Sequence, residues 1–140
     1  MSKKWIHESP ARWDRNKASV LGSAPPGVFD FAGSVEGSLL PGDWWRVEDQ
    51  GKVAGYAWMD STWGDAEVLL CVERSVSGRG IGSFIMDRLE DEARLRGLNH
   101  LYNVVPAKHP EPERLRCWLE KRHFVASEDG KVLRRVVSAE

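Results

Sequence analysis

The sequence predicts a mixed α/β fold in which a mostly antiparallel central sheet of six to seven strands is flanked by helices. Three patterns carry that expectation. Residues alternate with period two on both sides of Asp49-Gln50-Gly51. A nearly unbroken apolar run, Ala66-Glu67-Val68-Leu69-Leu70-Cys71-Val72, follows. Beyond it, Ile81, Ile85, Leu89 and Ala93 recur every fourth residue. Alternation marks a half-buried strand, a continuous apolar run a strand covered on both faces, and four-residue recurrence a helix with one apolar stripe.

In chain order, residues 5–8 read as a short first strand. Ser9 as N-cap and Pro10 at the first helical position then predict a helix to about Leu21. Residues 22–43 are rich in Gly, Pro, Ser and Ala, with Val28, Phe29, Phe31, Leu39 and Leu40 as apolar anchors. So long a connection in a compact domain reads as a binding element or conceals a short helix. Trp44–Glu48 and Lys52–Asp60 form a hairpin about Asp49-Gln50-Gly51. A turn at Ser61–Asp65 leads to the apolar strand at 66–72. The helix after Gly82 runs to about Arg96, with Glu90/Arg94 and Glu92/Arg96 in the favoured acid-before-base order and Gly97 as the residue beyond its end. His100–Val105 is a strand stopped by Pro106. Pro110 and Pro112 open a helix through Lys121, and Phe124–Ser127 and Val132–Val137 close as a hairpin around Glu128-Asp129-Gly130. The order is β-α-loop-β-β-β-α-β-α-β-β in one domain, 1–140.

Composition excludes several classes. A net charge of −1 over 140 residues gives no electrostatic reason to expect nucleic acid or an anionic membrane as partner. No apolar stretch approaches the ~18 residues of a membrane span, and the first residues turn polar at once. Cys71 and Cys117 have no metal-ligand spacing, and Cys71 reads as a small buried hydrophobe. A reducing cytoplasm is the expected compartment and no metal is expected. The seven tryptophans read as core and pocket walls.

The chemistry concentrates at Ser77-Gly78-Arg79-Gly80-Ile81-Gly82-Ser83, where the apolar strand passes through a glycine turn into a helix. The first amides of a helix lack internal acceptors, and its aligned dipoles leave partial positive charge there, so the turn is suited to an anion. Glycines at 78, 80 and 82 let a diphosphate approach the main chain, and Arg79 adds a charge-assisted contact. The alternative is a turn that only joins strand to helix. A dinucleotide fingerprint would place its third glycine one residue later, and the Gly-Lys-Ser/Thr of a P-loop is absent.

An apolar strand ending at Val72, then Gly78-Arg79-Gly80-Ile81-Gly82 and a helix, resembles the coenzyme A loop of the GCN5-related N-acetyltransferase (GNAT) family. Ser77 stands where that family usually has Arg or Gln. Trp118-Leu119-Glu120-Lys121-Arg122-His123-Phe124 resembles its aromatic-Tyr-Glu-Lys-x-Gly-Phe segment, with Leu119 for the tyrosine and His123 for the glycine. The resemblance covers most of the chain from about Trp44 onward. It implies a sheet splayed between strands 66–72 and 100–105 and acetyl-CoA as co-substrate. It also implies direct attack of an amine on the thioester in a ternary complex. Leu70, Cys71 and Val72 would line the pantetheine arm, with a backbone amide near Val72 polarising the carbonyl. Ser77, Gly78, Arg79, Gly80, Ile81, Gly82 and Ser83 would hold the phosphates.

Glu67 is the candidate base by the same resemblance. A strand-edge carboxylate paired with a lysine or arginine is the other reading, and Glu73 is the second choice. With Leu119 in the tyrosine position, the proton for the departing thiolate is left to Tyr102, Tyr56, Cys117 or water. His7, His100, His109 and His123 have no ligand spacing and read as surface or strand residues. Lys108, Arg114, Arg116, Lys121 and Arg122 give the last helix a basic side, either solvated or facing the 3′-phosphate. Asp30, Glu36, Asp43, Asp60 and Asp65, with Trp44, Trp45, Trp58 and Trp63, suggest a cationic amine acceptor, small molecule or protein, near loop 22–43 and Ser61-Thr62-Trp63. A homodimer is left open. Two other readings remain at this level: a coenzyme A-binding module without turnover, and an interaction protein whose glycine turn is purely structural.

Overall fold

The computed structural model describes residues 3–22, 35–76 and 78–137. Seven strands, β1 (Lys3–Glu8), β2 (Asp43–Asp49), β3 (Lys52–Thr62), β4 (Asp65–Val72), β5 (His100–Val104), β6 (Val125–Ala126) and β7 (Val132–Val136), form one sheet in the order β1-β2-β3-β4-β5-β7-β6. Among the described residues three α-helices accompany it, α1 (Arg15–Leu21), α2 (Ile81–Leu95) and α3 (Pro112–Glu120), with a 3-10 turn at Arg74–Val76. Every neighbouring pair is antiparallel except β4 and β5, which run parallel because α2 lies between them in the chain. The predicted architecture, sheet size and element order therefore stand.

The turns follow from backbone chemistry. Gln50 and Gly51 join β2 to β3, and Trp63 and Gly64 join β3 to β4, each with both residues at positive φ. That is the two-residue hairpin geometry whose twist matches the strands. Residues on the two faces of β3 feed separate cores. Ala57 and Met59 pack with Ile81, Ile85, Met86 and Leu89 of α2, and Tyr56 packs with Val20, Leu21, Trp44 and Cys71 beneath α1.

The first helix differs from its predicted start. Its N-cap is Asp14, whose carboxylate accepts from the Lys17 amide at 2.8 Å, and Ser9-Pro10 is a cis peptide outside the helix. Residues 11–13 spend their backbone groups on residues 37–40 instead. Trp13 N–H donates to Ser38, and Leu40 N–H donates to the Ala11 carbonyl. Backbone groups already paired across chain segments are unavailable to a helical turn. The anchors Val28, Phe29 and Phe31 fall outside the described residues. Among the described residues, no helix is long and apolar enough to cross a membrane.

Lys17 is the one fully buried cation among the described residues. Its ammonium meets Glu8 at 2.6 Å and Asp14 at 3.0 Å and donates to the Arg12 carbonyl at 2.8 Å. Arg46 also holds Glu8, at 2.8 Å. This network ties α1 to β1 and β2. Lys17→Met keeps most of the stem volume and removes the charge, leaving Glu8 with Arg46 alone. We expect a loss of about 3 kcal/mol in denaturant unfolding at neutral pH, because a buried charge loses one of its partners.

Candidate active site

β4 and β5 share only three rungs: Asp65 with His100, Ala66 with Leu101 and Glu67 with Tyr102. Past Glu67, β4 stays paired to β3 through Val72 but, among the described residues, has no strand on its other side. The side-chain amide of Asn103 donates to the Val68 carbonyl at 2.8 Å, where the next ladder bond would fall. A side chain thus substitutes for a backbone rung and the strands separate. The opening is a cavity of about 330 Å3 whose walls include Glu67, Leu70, Met86, Asn103, His109 and Leu119. Along its β4 wall, strand backbone lacks a ladder partner on that side and is available to an extended, amide-bearing ligand.

The glycine turn lies beside this opening. Gly78 and Gly80 have φ of 85° and 78°, both are exposed, and a Cβ on either would meet nothing within 4 Å. Gly80 is the N-cap of α2, and the helical bonds begin with Phe84 N–H donating to the Gly80 carbonyl at 3.0 Å. The amides of Ile81, Gly82 and Ser83 therefore have no intrahelical acceptor. A second concavity of about 420 Å3 is walled by Gly78, Gly80, Gly82, Ser83 and Arg122. Leu70 and Trp118 line both concavities. Gly82 needs its missing side chain, since a Cβ there would lie 3.1 Å from the Trp118 ring.

Arg122 completes this end of the site. Its guanidinium lies 3.8 Å from the centre of the Trp118 ring, and it donates to the Trp118 carbonyl at 3.1 Å and to the Ser83 hydroxyl. The sequence showed Arg122 only as one of several basic residues. The fold separates it from Arg114 and Arg116, which pair with Glu111 and Glu113. Arg79 is exposed on the turn, and Ser77 lies outside the described residues.

On the sheet face away from α2, Asp60, Glu67, Tyr102 and Arg134 stand in register across β3, β4, β5 and β7. Burial first, and then the neighbouring charge of Asp60, raise the Glu67 carboxyl above the usual range. Among the described residues Glu67 makes no ion pair, unlike the strand-edge alternative. Burial and then the Glu67 charge also raise the Tyr102 hydroxyl, which stays protonated near neutrality. Glu73 is turned aside, accepting from the Ser75 amide at 3.1 Å.

Other sequence candidates separate on position. Tyr56 is fully buried under α1, edge-on to Trp44, and Cys117 is exposed. Cys71 faces α1, its thiol donating to the Val20 carbonyl at 3.3 Å, and burial pushes that thiol up to about 11. Its backbone is turned toward Tyr56 of β3, so the main-chain groups of β4 that face the opening alternate through Val68, Leu70 and Val72. Trp44 and Trp45 are core residues, whereas Trp63 is almost wholly exposed on its turn. Asp43 is taken by Arg96 at 2.7 Å and Asp65 by His100 at 2.9 Å, so Asp60 is the acid that remains beside Glu67. Asp30 lies outside the described residues. Among those residues no group of three or more His, Cys, Asp or Glu side chains is placed to hold a metal ion.

Known proteins share this fold. The model of the acetyltransferase (GNAT) domain matches residues 41–126. Among curated proteins none matches. A solved GNAT-family protein from Desulfovibrio desulfuricans superposes with a TM-score of 0.61 at 18% identity, over 69% of each chain. The ribosomal-protein-S18-alanine N-acetyltransferase of Escherichia coli gives 0.54 at 20% identity over 68% of each. PaiA N-acetyltransferase of Thermoplasma acidophilum, solved with coenzyme A, gives 0.56 at 11% identity over 66% of this chain and 59% of its own. At these identities the structural matches establish the fold.

The raised Glu67 carboxyl fixes the sign of a stability effect. Its folded-state pKa lies above the unfolded value, so ionising it costs folding free energy at any pH above both and nothing below the unfolded value. Glu67→Gln should therefore raise the melting temperature at neutral pH, and the difference should vanish as the pH falls below the carboxylate range. Thermal unfolding of both proteins across pH checks this.

Proposed function

The chain belongs to the GNAT acetyltransferase family, and from that premise we propose that it moves an acetyl group from acetyl-CoA to a primary amine by direct attack, with both substrates bound together. The observation that carries this reading is the junction of two concavities. An opening flanked by unpaired strand backbone runs, past Leu70 and Trp118, to a glycine turn at the N-terminus of α2. The residues present fit the co-substrate. Open main chain at Gly78 and Gly80, three helical amides without internal acceptors and the Arg122 guanidinium suit a diphosphate. The unpaired edge of β4 at Leu70 and Val72, on either side of Cys71, suits the amides of a pantetheine arm.

When bound, acetyl-CoA supplies an activated acyl carbon. The protein's residues do the rest. Backbone N–H near Val72 polarises the thioester carbonyl. Glu67, its carboxyl raised by burial, accepts the proton from the attacking ammonium. Asp60 next to it adds negative charge that favours a cationic acceptor entering from that face. The E. coli enzyme named above acts on an alanine of a ribosomal protein, and both protein and small-molecule amines remain in the acceptor class proposed here. β1 extends the sheet at one edge and the β6–β7 hairpin at the other, which supports one domain over residues 1–140. A second reading, coenzyme A binding without turnover, draws on Leu119, whose hydrocarbon side chain lines the cavity where the family places a tyrosine.

Release of free thiol from acetyl-CoA across a panel of amines tests transfer, and binding without release selects the second reading. Gly80→Asp should abolish coenzyme A binding by calorimetry while the protein stays folded. The new carboxylate repels the diphosphate, and its Cβ meets no atom, so the folding cost is the ~1–2 kcal/mol of a left-handed side chain. Gly80→Ala carries that strain without the charge and should keep measurable affinity.

A further inference from the structure

We propose that His109 is the hydrogen-bond donor for the sulfur that leaves during acyl transfer, an inference that rests on the acetyl-CoA reading above. As the new C–N bond forms and the C–S bond breaks, sulfur takes the bonding pair; of the two protons an ammonium loses in becoming an amide, Glu67 holds the first, and the second passes through solvent to the departed thiolate. The thiolate develops inside an opening walled largely by Leu70, Met86 and Leu119. Charge in such surroundings is costly without a donor. Among the described side chains that line the opening, three carry N–H groups: Asn103, Trp118 and His109. Asn103 is committed to the Val68 carbonyl. Trp118 sits at the turn end, against Gly82 and under Arg122. His109 and Glu67 line the splayed opening and not the concavity of the glycine turn, which places them at the acyl end.

The ring is held in one tautomer. The backbone N–H of Glu111 donates to Nδ1 of His109 at 3.0 Å, and an amide can only donate. Nδ1 therefore keeps its lone pair, and the neutral imidazole carries its hydrogen on Nε2. The loop is braced as well, by the His109 amide donating to the Pro106 carbonyl at 3.1 Å. His109 acts here as a fixed dipole that stabilises the sulfur without passing it a proton.

The test needs no acceptor. The thiol of bound coenzyme A is titrated by thiolate ultraviolet absorbance in the wild type, His109→Ala, His109→Gln and Trp118→Phe. The account expects His109→Ala to raise the titration midpoint by about one pH unit or more, the worth of one hydrogen bond to a charged sulfur, and His109→Gln, which retains an N–H, to recover part of it. With an amine acceptor the same change should lower kcat about tenfold or more with little effect on coenzyme A affinity. Equal midpoints in wild type and His109→Ala, or a rise in Trp118→Phe alone, would overturn the role of His109. Failure of the wild type to bind coenzyme A would instead sink the acetyl-CoA reading and this inference with it.

Discussion

The broken ladder between β4 and β5 is the constraint on which the rest of the site depends. A parallel pair in mid-sheet ordinarily satisfies every inward backbone group, and an unpaired buried group costs on the order of 1–3 kcal/mol. Here pairing ends after Glu67 and Tyr102, and the protein meets the first unpaired carbonyl with the Asn103 side chain. The remaining edge of β4 is kept open by Met86 from α2 and Leu119 from α3, whose side chains wall the gap. An edge in the middle of a sheet is covered by helices and so is protected from other chains, while a narrow ligand can still pair with it.

The same break orders the electrostatics. At one end, helical amides and the Arg122 guanidinium supply positive potential. At the other, Asp60 and Glu67 supply negative potential, and burial holds the Glu67 carboxyl above its ordinary range. The two ends lie on opposite faces of the sheet's central strands, with the opening between them. An anionic co-substrate and a cationic acceptor would therefore approach from different sides and meet at β4. Arg122 is itself held by a ring contact and by hydrogen bonds to Trp118 and Ser83, so its guanidinium is positioned before any ligand arrives.

Much of this was legible in the sequence, for identifiable reasons. Period two, an apolar run and a four-residue stripe are local signals, and the strands and helices they mark stand where they were expected. The turn glycines were legible because positive φ selects glycine, and His123, in place of the family's glycine, adopts φ of 71°. What the sequence could not show depends on contacts between distant segments. Asp14 caps α1 because residues 11–13 are occupied with residues 37–40. Asn103 and His109 carry no motif, and they join the site only when β5 and the loop after it are folded against β4 and α3. Arg122 could be separated from its basic neighbours only once Arg114 and Arg116 had acidic partners.

The central claim is that the edge of β4 and the first turn of α2 together grip coenzyme A. Amide resonances followed by NMR during titration with coenzyme A test it most directly. The account predicts large, saturating shifts for Leu70 and Val72 and for Ile81, Gly82 and Ser83, with one common dissociation constant. Saturating shifts confined to other surfaces, or no shifts at either segment, would contradict it.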